Sequence, residues 1–473
     1  MNLSCYETGS SLMASGLTYW QAIIAIITGN GLAAFFAVLN SVSGADSHLG
    51  YPIVCRSVWG MWGSYFPILN RILLSLVWYG VQAVLGGDMI YVCLRSIWLD
   101  IDERIPNTLP AGIGITSANF VGYFVPYFHV ASCVVAITLF VLLGWAVGTS
   151  EGWGEVITAK TSISRSELGW TMSAGIMSFI GSIAARILNQ NDFTRWAKRP
   201  RDVTYSQAFS YTFSGNITAI VGVLVTAATQ KQYGHGTALW NPTDLFIAIQ
   251  DQHGSRDRAA AFFLGTMFIV SQLSINVVGN VMAGGLDVAA VLPKYVNLRR
   301  GAYIIAVLSV LPNPWQQLAS GSTFLTVLSA YSVFLGPMVG LLCVHYYIIQ
   351  KRQFHYPDIY EGSHKSIYWY TWGVNWRTVV AWIVGVVPSM PGFVNRANPA
   401  LKVGLSATRI YDISFVLGFV LFHYPSITPL ERELETRDLD KWDENARSTA
   451  VPGGIEAQGK QAARIAVQAD VQA

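Results

Sequence analysis

Apolar stretches as long as a bilayer is thick recur along this chain from Trp20 almost to His423, and that recurrence decides its solvent before anything else. A helix crosses the hydrocarbon layer with about 17–25 residues. At that depth every backbone N–H and C=O must be bonded within the protein, so the stretches read as helices. Spans are expected over Trp20–Leu39, Ile68–Ile97, Gly112–Pro126, Ala131–Gly148, Leu168–Leu188, Phe209–Ala228, Ala259–Met282, Ala302–Leu318, Thr323–Ile349, Val379–Val394 and a short Ile413–His423. Ahead of them, Leu3–Gly16 is too short to span, yet its small-residue run from Gly9 to Gly16 is of the kind that packs membrane helices closely. Counted as the end of a truncated first span, it brings the expectation to an all-α membrane protein of about twelve spans. Composition agrees: of 473 residues 52% are hydrophobic and only 12% charged, more apolar surface than one soluble core would use.

Loop charge sets the orientation. The loop after the sixth span carries Arg195, Lys198, Arg199 and Arg201, that after the eighth Lys294, Arg299 and Arg300, and that after the tenth Lys351, Arg352 and Lys365. By parity these loops share one side, and the alternate loops hold acids such as Asp100, Asp102 and Glu103. Lys and Arg collect on the cytoplasmic face, so both termini are expected in the cytoplasm of a plasma-membrane protein. Residues 425–473, with Glu431, Glu433, Glu435, Asp438 and Asp440, hold too little apolar content to fold alone. They are expected to be a disordered cytoplasmic tail behind a transmembrane domain over residues 1–424. Met1–Gly16 lacks the basic start of a cleavable signal peptide.

Several function classes are excluded by what is scattered. The five cysteines and eight histidines show no metal-ligand or redox spacing, so no metal and no cofactor is expected. A formal charge of +3 without a basic stripe gives no reason to expect a nucleic-acid partner. No span pairs a nucleophile with a base, so the chain is not expected to be an enzyme.

Chemistry is sought where polar residues interrupt apolar helices. In the third span Trp78 and Gln82 stand four residues apart, on one helix face. An indole offers a flat surface to a planar heterocycle, and a primary amide offers donors and an acceptor to an amide-like ring edge. The same spacing also fits Trp78 filling a helix interface while Gln82 bonds a neighbouring helix. In the eighth span Gln272, Asn276 and Asn280 form a stripe at i, i+4 and i+8, followed by Asp287 beside Gly284 and Gly285. Buried amides are costly if unpaired, so the stripe calls for helix partners or a ligand. Asp287 is open between bonding backbone donors at a helix end and carrying a proton.

Seven blocks in order carry a resemblance: Ser15–Ala22 (SGLTYWQA), Gly63–Pro67 (GSYFP), Trp78–Gln82 (WYGVQ), Asn107–Pro110 (NTLP), Asp192–Arg195 (DFTR), Leu292–Gly301 (LPKYVNLRRG) and Leu328–Leu335 (LSAYSVFL). With them the chain resembles, over nearly its whole length, the nucleobase:cation symporter 1 family, in its fungal Fur-type branch of uracil, allantoin and uridine permeases. The resemblance implies a five-plus-five inverted-repeat transporter with two trailing helices, whose first and sixth spans break near the membrane middle to hold substrate or ion. Gly175 and Gly181 are the residues that would permit the sixth-span break. It further implies Trp78 as the stacking residue, Gln82 as the bidentate partner, Asn280 as the second amide contact beside Asn276, and Phe179 as the sixth-span aromatic that completes the sandwich. Pro314–Gln316 is a candidate outer-gate segment.

The function so implied is import of a planar heterocycle, whether nucleobase, allantoin or nucleoside, with thiamine and nicotinamide riboside as alternative cargo. The Fur-type branch is proton-coupled, and a proton needs a membrane carboxylate that alternates between charged and neutral; Glu7, Asp88 and Asp287 are the candidates. Sodium is disfavoured because Ile275 stands next to Ser274, where sodium-driven relatives offer two hydroxyls. Departures from the family pattern are also visible. Met1 falls inside the first span, and Gly112–Gly148 gives about 37 residues where two crossings need about 40. The last span is short as well. A non-transporting, receptor-like or degenerate paralogue is therefore the alternative expectation.

Overall fold

The lipid constraint is met with helices in the computed structural model, which describes residues 3–104, 132–149, 163–234, 236–252, 254–398 and 400–421. Among the described residues β-structure is confined to an isolated bridge between Thr371 and Val374. The helices that matter for function are α1 (Leu3–Ala14), α2 (Tyr19–Ser47), α3 (Tyr65–Ile97), α4 (Ser132–Thr149), α5 (Arg165–Leu188), α6 (Pro200–Thr229) and α7 (Ser255–Asn276). A π-helical stretch, Val277–Met282, joins α7 to α8 (Ala283–Val291), and α9 (Leu298–Leu308), α10 (Gly321–Ala330), α11 (Ser332–Val344), α12 (Trp376–Val386) and α13 (Ser414–Leu421) follow.

Among the described residues seven stretches are long and apolar enough to cross a membrane: Tyr19–Ser47, Tyr65–Ile97, Arg165–Leu188, Pro200–Thr229, Ser255–Val291, Gly321–Ile349 and Trp376–Ala397. Each contains a span expected from the sequence. The fifth expected span is α4, whose 18 residues reach about 27 Å at ~1.5 Å per residue, close to the ~30 Å hydrocarbon thickness. The fourth expected span, Gly112–Pro126, and the tail over residues 425–473 lie outside the described residues.

Local signals set the ends of α2. At its start the Gln21 side chain accepts the Thr18 backbone N–H at 2.9 Å, one half of a capping box. At its end His48 turns left-handed, with φ 56°, and donates its N–H to the Gly44 carbonyl. Beyond that end, His48 Nδ1 lies 2.7 Å from the Arg195 carbonyl, and Arg352 forms an ion pair with Asp46. The first and third of the basic loops therefore meet at one end of α2, as parity required.

Packing follows the repeat implied by the resemblance. The second span, α2, packs on the seventh, α6, and the third, α3, packs on the eighth, α7, so spans five apart in order lie side by side. Helix α1 lies against α6 and α10. On the outside, Tyr205, Phe209 and Phe213 of α6 are exposed, as side chains bathed in lipid rather than water can be.

Two expectations are corrected. The sixth span does not break between Gly175 and Gly181: α5 is one continuous α-helix from Arg165 to Leu188, and the interruption comes at Asn189. Gly181 serves close packing instead, since a Cβ there would stand 2.0 Å from the Leu328 carbonyl oxygen. The ninth span is not continuous over Ala302–Leu318: α9 ends at Leu308, and Asn313, with φ 49°, turns the chain into a four-residue helix, Pro314–Gln317. Pro312 and Pro314 each lack the N–H a continuing helix would need.

Gly181→Ala is expected to destabilise the protein by about 1–3 kcal/mol through overpacking against α10. Gly169→Ala, on the same helix with nothing within 4 Å of the added Cβ, is expected to be neutral or mildly stabilising. Thermal unfolding of the two purified variants checks this, and equal midpoints would contradict it.

Candidate functional site

The Trp78–Gln82 face of α3 turns inward onto an internal cavity of about 310 Å³. Six elements wall it: Ser4 and Cys5 of α1, Asn30 of α2, Trp78 and Gln82 of α3, Ser182, Ile183, Ala185 and Arg186 of α5, Ser210, Tyr211, Ser214 and Gly215 of α6, and Ile275 and Asn280 of α7 with its π-helical extension. Its size lies at the small end of ligand pockets, roughly 300–1,000 Å³. That is room for a single-ring or fused-ring heterocycle.

Gln82 is held by a relay of amides. The Leu3 backbone N–H donates to Gln272 Oε1 at 3.1 Å, Gln272 Nε2 donates to Gln82 Oε1 at 2.6 Å, and Gln82 Nε2 donates to Ser4 Oγ at 2.8 Å. The first donor is one of the N–H groups that a helix start leaves without an intrahelical partner, so Gln272 caps α1 while it orients Gln82. A primary amide has two donors and two lone pairs. The relay uses one of each, leaving one N–H and one lone pair of Gln82 for a ligand edge.

A second chain of amides places Asn280. Asn276 Nδ2 donates to the Tyr79 carbonyl at 3.2 Å, and Asn280 Nδ2 donates to Asn276 Oδ1 at 2.9 Å. Asn280 stands in the π-helical stretch, where an extra residue per turn swings the side chain round from the α-helical stripe. It therefore lines the cavity, whereas Asn276 supports it from behind. The structure brings Trp78, Gln82 and Asn280 together as the resemblance implied.

It does not bring Phe179 there. Phe179 is buried in the packing of α5 against α2, with its Cβ 2.7 Å from where a Cβ on Gly29 would stand. Ile183, one turn further along α5, is the residue that faces the cavity. The three carboxylates stand behind the wall rather than in it. Glu7 lies one turn along α1 from Ser4, is wholly buried, and neither of its oxygens has a hydrogen-bond partner among the described residues. Asp287 in α8 is likewise buried with neither oxygen hydrogen-bonded, and Arg71 is the cation that bears on it electrostatically. Asp88 is buried in α3. Pro314 of the candidate gate packs over Gly80, next to Trp78, where a Cβ would come within 2.9 Å of the proline ring.

Sequence reasoning missed Asn30, which donates to Asn216 Oδ1 at 3.0 Å, as well as Tyr211 and Arg186. Arg186 carried a usable signal, being a charged residue inside an apolar span. Asn30 carried none, having no polar residue three or four positions away on α2, and Tyr211 was one hydroxyl among Ser210, Thr212 and Ser214, a run that singles out no position. A double-mutant cycle on Gln82→Ala and Gln272→Ala, read by thermal unfolding, is expected to give a coupling energy of about 1 kcal/mol or more. Strict additivity would contradict the relay.

Comparison with known proteins agrees with this geometry. The family profile described as "Permease for cytosine/purines, uracil, thiamine, allantoin" matches residues 1–418. An uncharacterised permease of Schizosaccharomyces pombe is 33% identical over 89% of this chain and 73% of its own length. The allantoin permease and the uracil permease of Saccharomyces cerevisiae are each 30% identical over 89% of this chain, and over 69% and 70% of their own lengths. Among solved structures, Mhp1 in its inward-facing conformation aligns with a TM-score of 0.64 at 22% identity, covering 90% of this chain and 87% of Mhp1. Mhp1 in a closed conformation with bromovinylhydantoin bound, described as a nucleobase-cation-symport-1 family transporter, aligns with a TM-score of 0.63 at 19% identity over 91% of this chain and 92% of Mhp1. At such identities these two structures speak to the fold, and the profile match speaks to descent: the chain is a multi-pass membrane protein belonging to the family of permeases for cytosine and purines, uracil, thiamine and allantoin.

Proposed function

We propose that the chain imports a planar heterocycle of the nucleobase, allantoin or nucleoside kind, coupled to a proton, with the cavity beside Trp78 as its substrate site. One observation carries the reading: an aromatic face and two half-used amides, Gln82 and Asn280, converge on one cavity of about 310 Å³. Stacking against an indole is indifferent to ring identity, whereas the free N–H and lone pair of Gln82 match the alternating donor and acceptor edge of a cyclic imide or amide. Binding two complementary groups on one ring edge orients the ring, and the amide of Asn280 adds a further contact.

Coupling is assigned to Glu7. A carboxylate without a partner at membrane depth is expensive and marks an ion or proton pathway. Glu7 stands one turn from Ser4, and Ser4 bonds Gln82 directly. A change in the charge of Glu7 therefore acts on the same short helix that orients the substrate amide. Ser274 without a second hydroxyl beside it favours a proton over sodium, because sodium sites need several oxygen ligands. The basic loops that meet at the end of α2 belong on the cytoplasmic side by the positive-inside rule, and the plasma membrane is the proposed location.

In cells lacking their own permeases, the chain is expected to give saturable uptake of a labelled heterocycle that rises as external pH falls. Trp78→Ala is expected to weaken apparent affinity about tenfold or more, from the ~1–3 kcal/mol of base–aromatic stacking, with surface expression unchanged. Glu7→Gln is expected to flatten the pH dependence. Undiminished uptake in Trp78→Ala would reject the site, and an unaltered pH profile in Glu7→Gln would reject Glu7 as the coupling group.

A further inference from the structure

Arg186 is a permanent cation in the wall of the cavity, and nothing in the described protein answers its charge. It makes no hydrogen bond or ion pair among the described residues, although its guanidinium has five donors and no acceptor. The ionisable groups that bear on it are Tyr211, Arg71 and Cys5: a second cation and two weak acids, and no carboxylate. Arg71 is itself engaged, with Ser75 and, at 3.4 Å, the Gly279 carbonyl.

The position is not explained by the ordinary uses of arginine at a helix end. Arg186 stands in the last turn of α5, where a cation interacts well with the helix dipole. That end is inside the protein: Asn189, Gln190 and Asn191 beyond it are all buried, and the half-buried Arg186 takes its exposure from the cavities it lines. Nor does it lie over an aromatic ring; among the described residues the arginines that do are Arg195, Arg377 and Arg409. The guanidinium rests flat against the backbone of Gly279, where any Cβ would come within 2.7 Å of Nη2. The π-helical stretch thus leaves a slot that keeps the charged group in place beside Asn280.

The same guanidinium also walls a second cavity, of about 350 Å³, on the side of Gln190 and Phe193. Arg186, Tyr211 and Ile275 are shared by the two cavities and form the partition between them. A cation with free donors at that partition meets any ligand that fills the first cavity.

We propose that Arg186 makes this site select heterocycles that carry an anionic substituent, a ring carboxylate being the fitting class, over their neutral counterparts. The inference rests on the cavity beside Trp78 being the substrate site. A ring stacked on Trp78 and read by Gln82 and Asn280 places a substituent on its far edge toward α5, and a planar carboxylate there matches the guanidinium fork in a bidentate pair. The hydroxyls of Ser182, Ser214 and Tyr211 line the same wall but already donate within the protein, to the Phe179 and Ser210 carbonyls and to Gln190, so the guanidinium is the donor left for the carboxylate.

The test measures binding to the purified full-length chain by ligand-induced thermal stabilisation, using matched pairs: uracil and uracil-6-carboxylate, nicotinamide and nicotinate, hydantoin and hydantoin-5-acetate. At least one acid is expected to bind about tenfold tighter than its neutral partner, the ratio that one charge-assisted hydrogen-bond pair supplies. In Arg186→Gln that ratio is expected to fall to about one or below, and because it is taken within one variant, a general loss of affinity cancels from it. Arg186→Met, which keeps the aliphatic stem, stands in if the glutamine variant does not fold. Neutral rings preferred throughout by the wild type, or an acid preference that survives both neutral substitutions, overturns the role of Arg186. Trp78→Ala separates this from failure of the site itself: if binding of both members of a pair survives that change, or if no member binds the wild type, the site reading falls and the inference with it.

Discussion

A polar group at membrane depth has no water to turn to, and the relay from Leu3 through Gln272 and Gln82 to Ser4 is where that constraint shapes the molecule most. Each bond in it joins a different pair of helices: α1 to α7, α7 to α3, and α3 back to α1. An unpaired amide at that depth costs a few kcal/mol, so separating any one helix would strand polar atoms on the other two. The relay therefore fixes the short helix α1 against two long spans. The cavity wall opposite, on α5 and α6, is built from serines and a tyrosine whose hydroxyls turn back on their own or neighbouring segments, such as Ser182 on the Phe179 carbonyl and Tyr211 on Gln190. Those hydroxyls are satisfied locally, whereas Cys5 and Asn30 tie α1 and α2 to α6 through the Gly215 carbonyl and Asn216.

Much of this was legible before any coordinates, and the reasons differ from residue to residue. Trp78 and Gln82 could be paired because a helix repeats every ~3.6 residues, so i and i+4 must share a face. Periodicity could not decide whether that face met a neighbouring helix or a cavity, and in the folded protein Gln82 bonds two neighbouring helices while lining the cavity. The Gln272, Asn276, Asn280 stripe was legible as a stripe, but the π-helical stretch that starts at Val277 rotates Asn280 away from it, and a single extra residue per turn leaves no mark in a hydropathy pattern. Phe179 and Ile183 show the limit of register: one turn of α5 separates the packing face from the cavity face.

The breaks were harder to read than the helices. Gly175 and Gly181 look like weak points in an apolar span, yet each is small because a Cβ there would press on a neighbour: on a Leu12 methyl, 3.0 Å away, in one case and on the Leu328 carbonyl in the other. Glycine in a membrane helix is as often a contact as a hinge, and sequence alone does not hold the partner that decides between them. Pro312 and Pro314 held a sign that the expected span Ala302–Leu318 passed over, since a missing N–H interrupts a helix whatever packs beside it. The pairing of the second span with the seventh and the third with the eighth was implied by resemblance alone, because the contacts that define it join residues far apart in the chain.

The central claim is that the cavity beside Trp78 holds the transported molecule. A structure of the full-length chain determined with a bound heterocycle tests it most directly. The account predicts density for a planar ring stacked on the Trp78 indole, with ring polar atoms within hydrogen-bond distance of the Gln82 and Asn280 amides. Density for the ligand elsewhere, with that cavity empty, would contradict it.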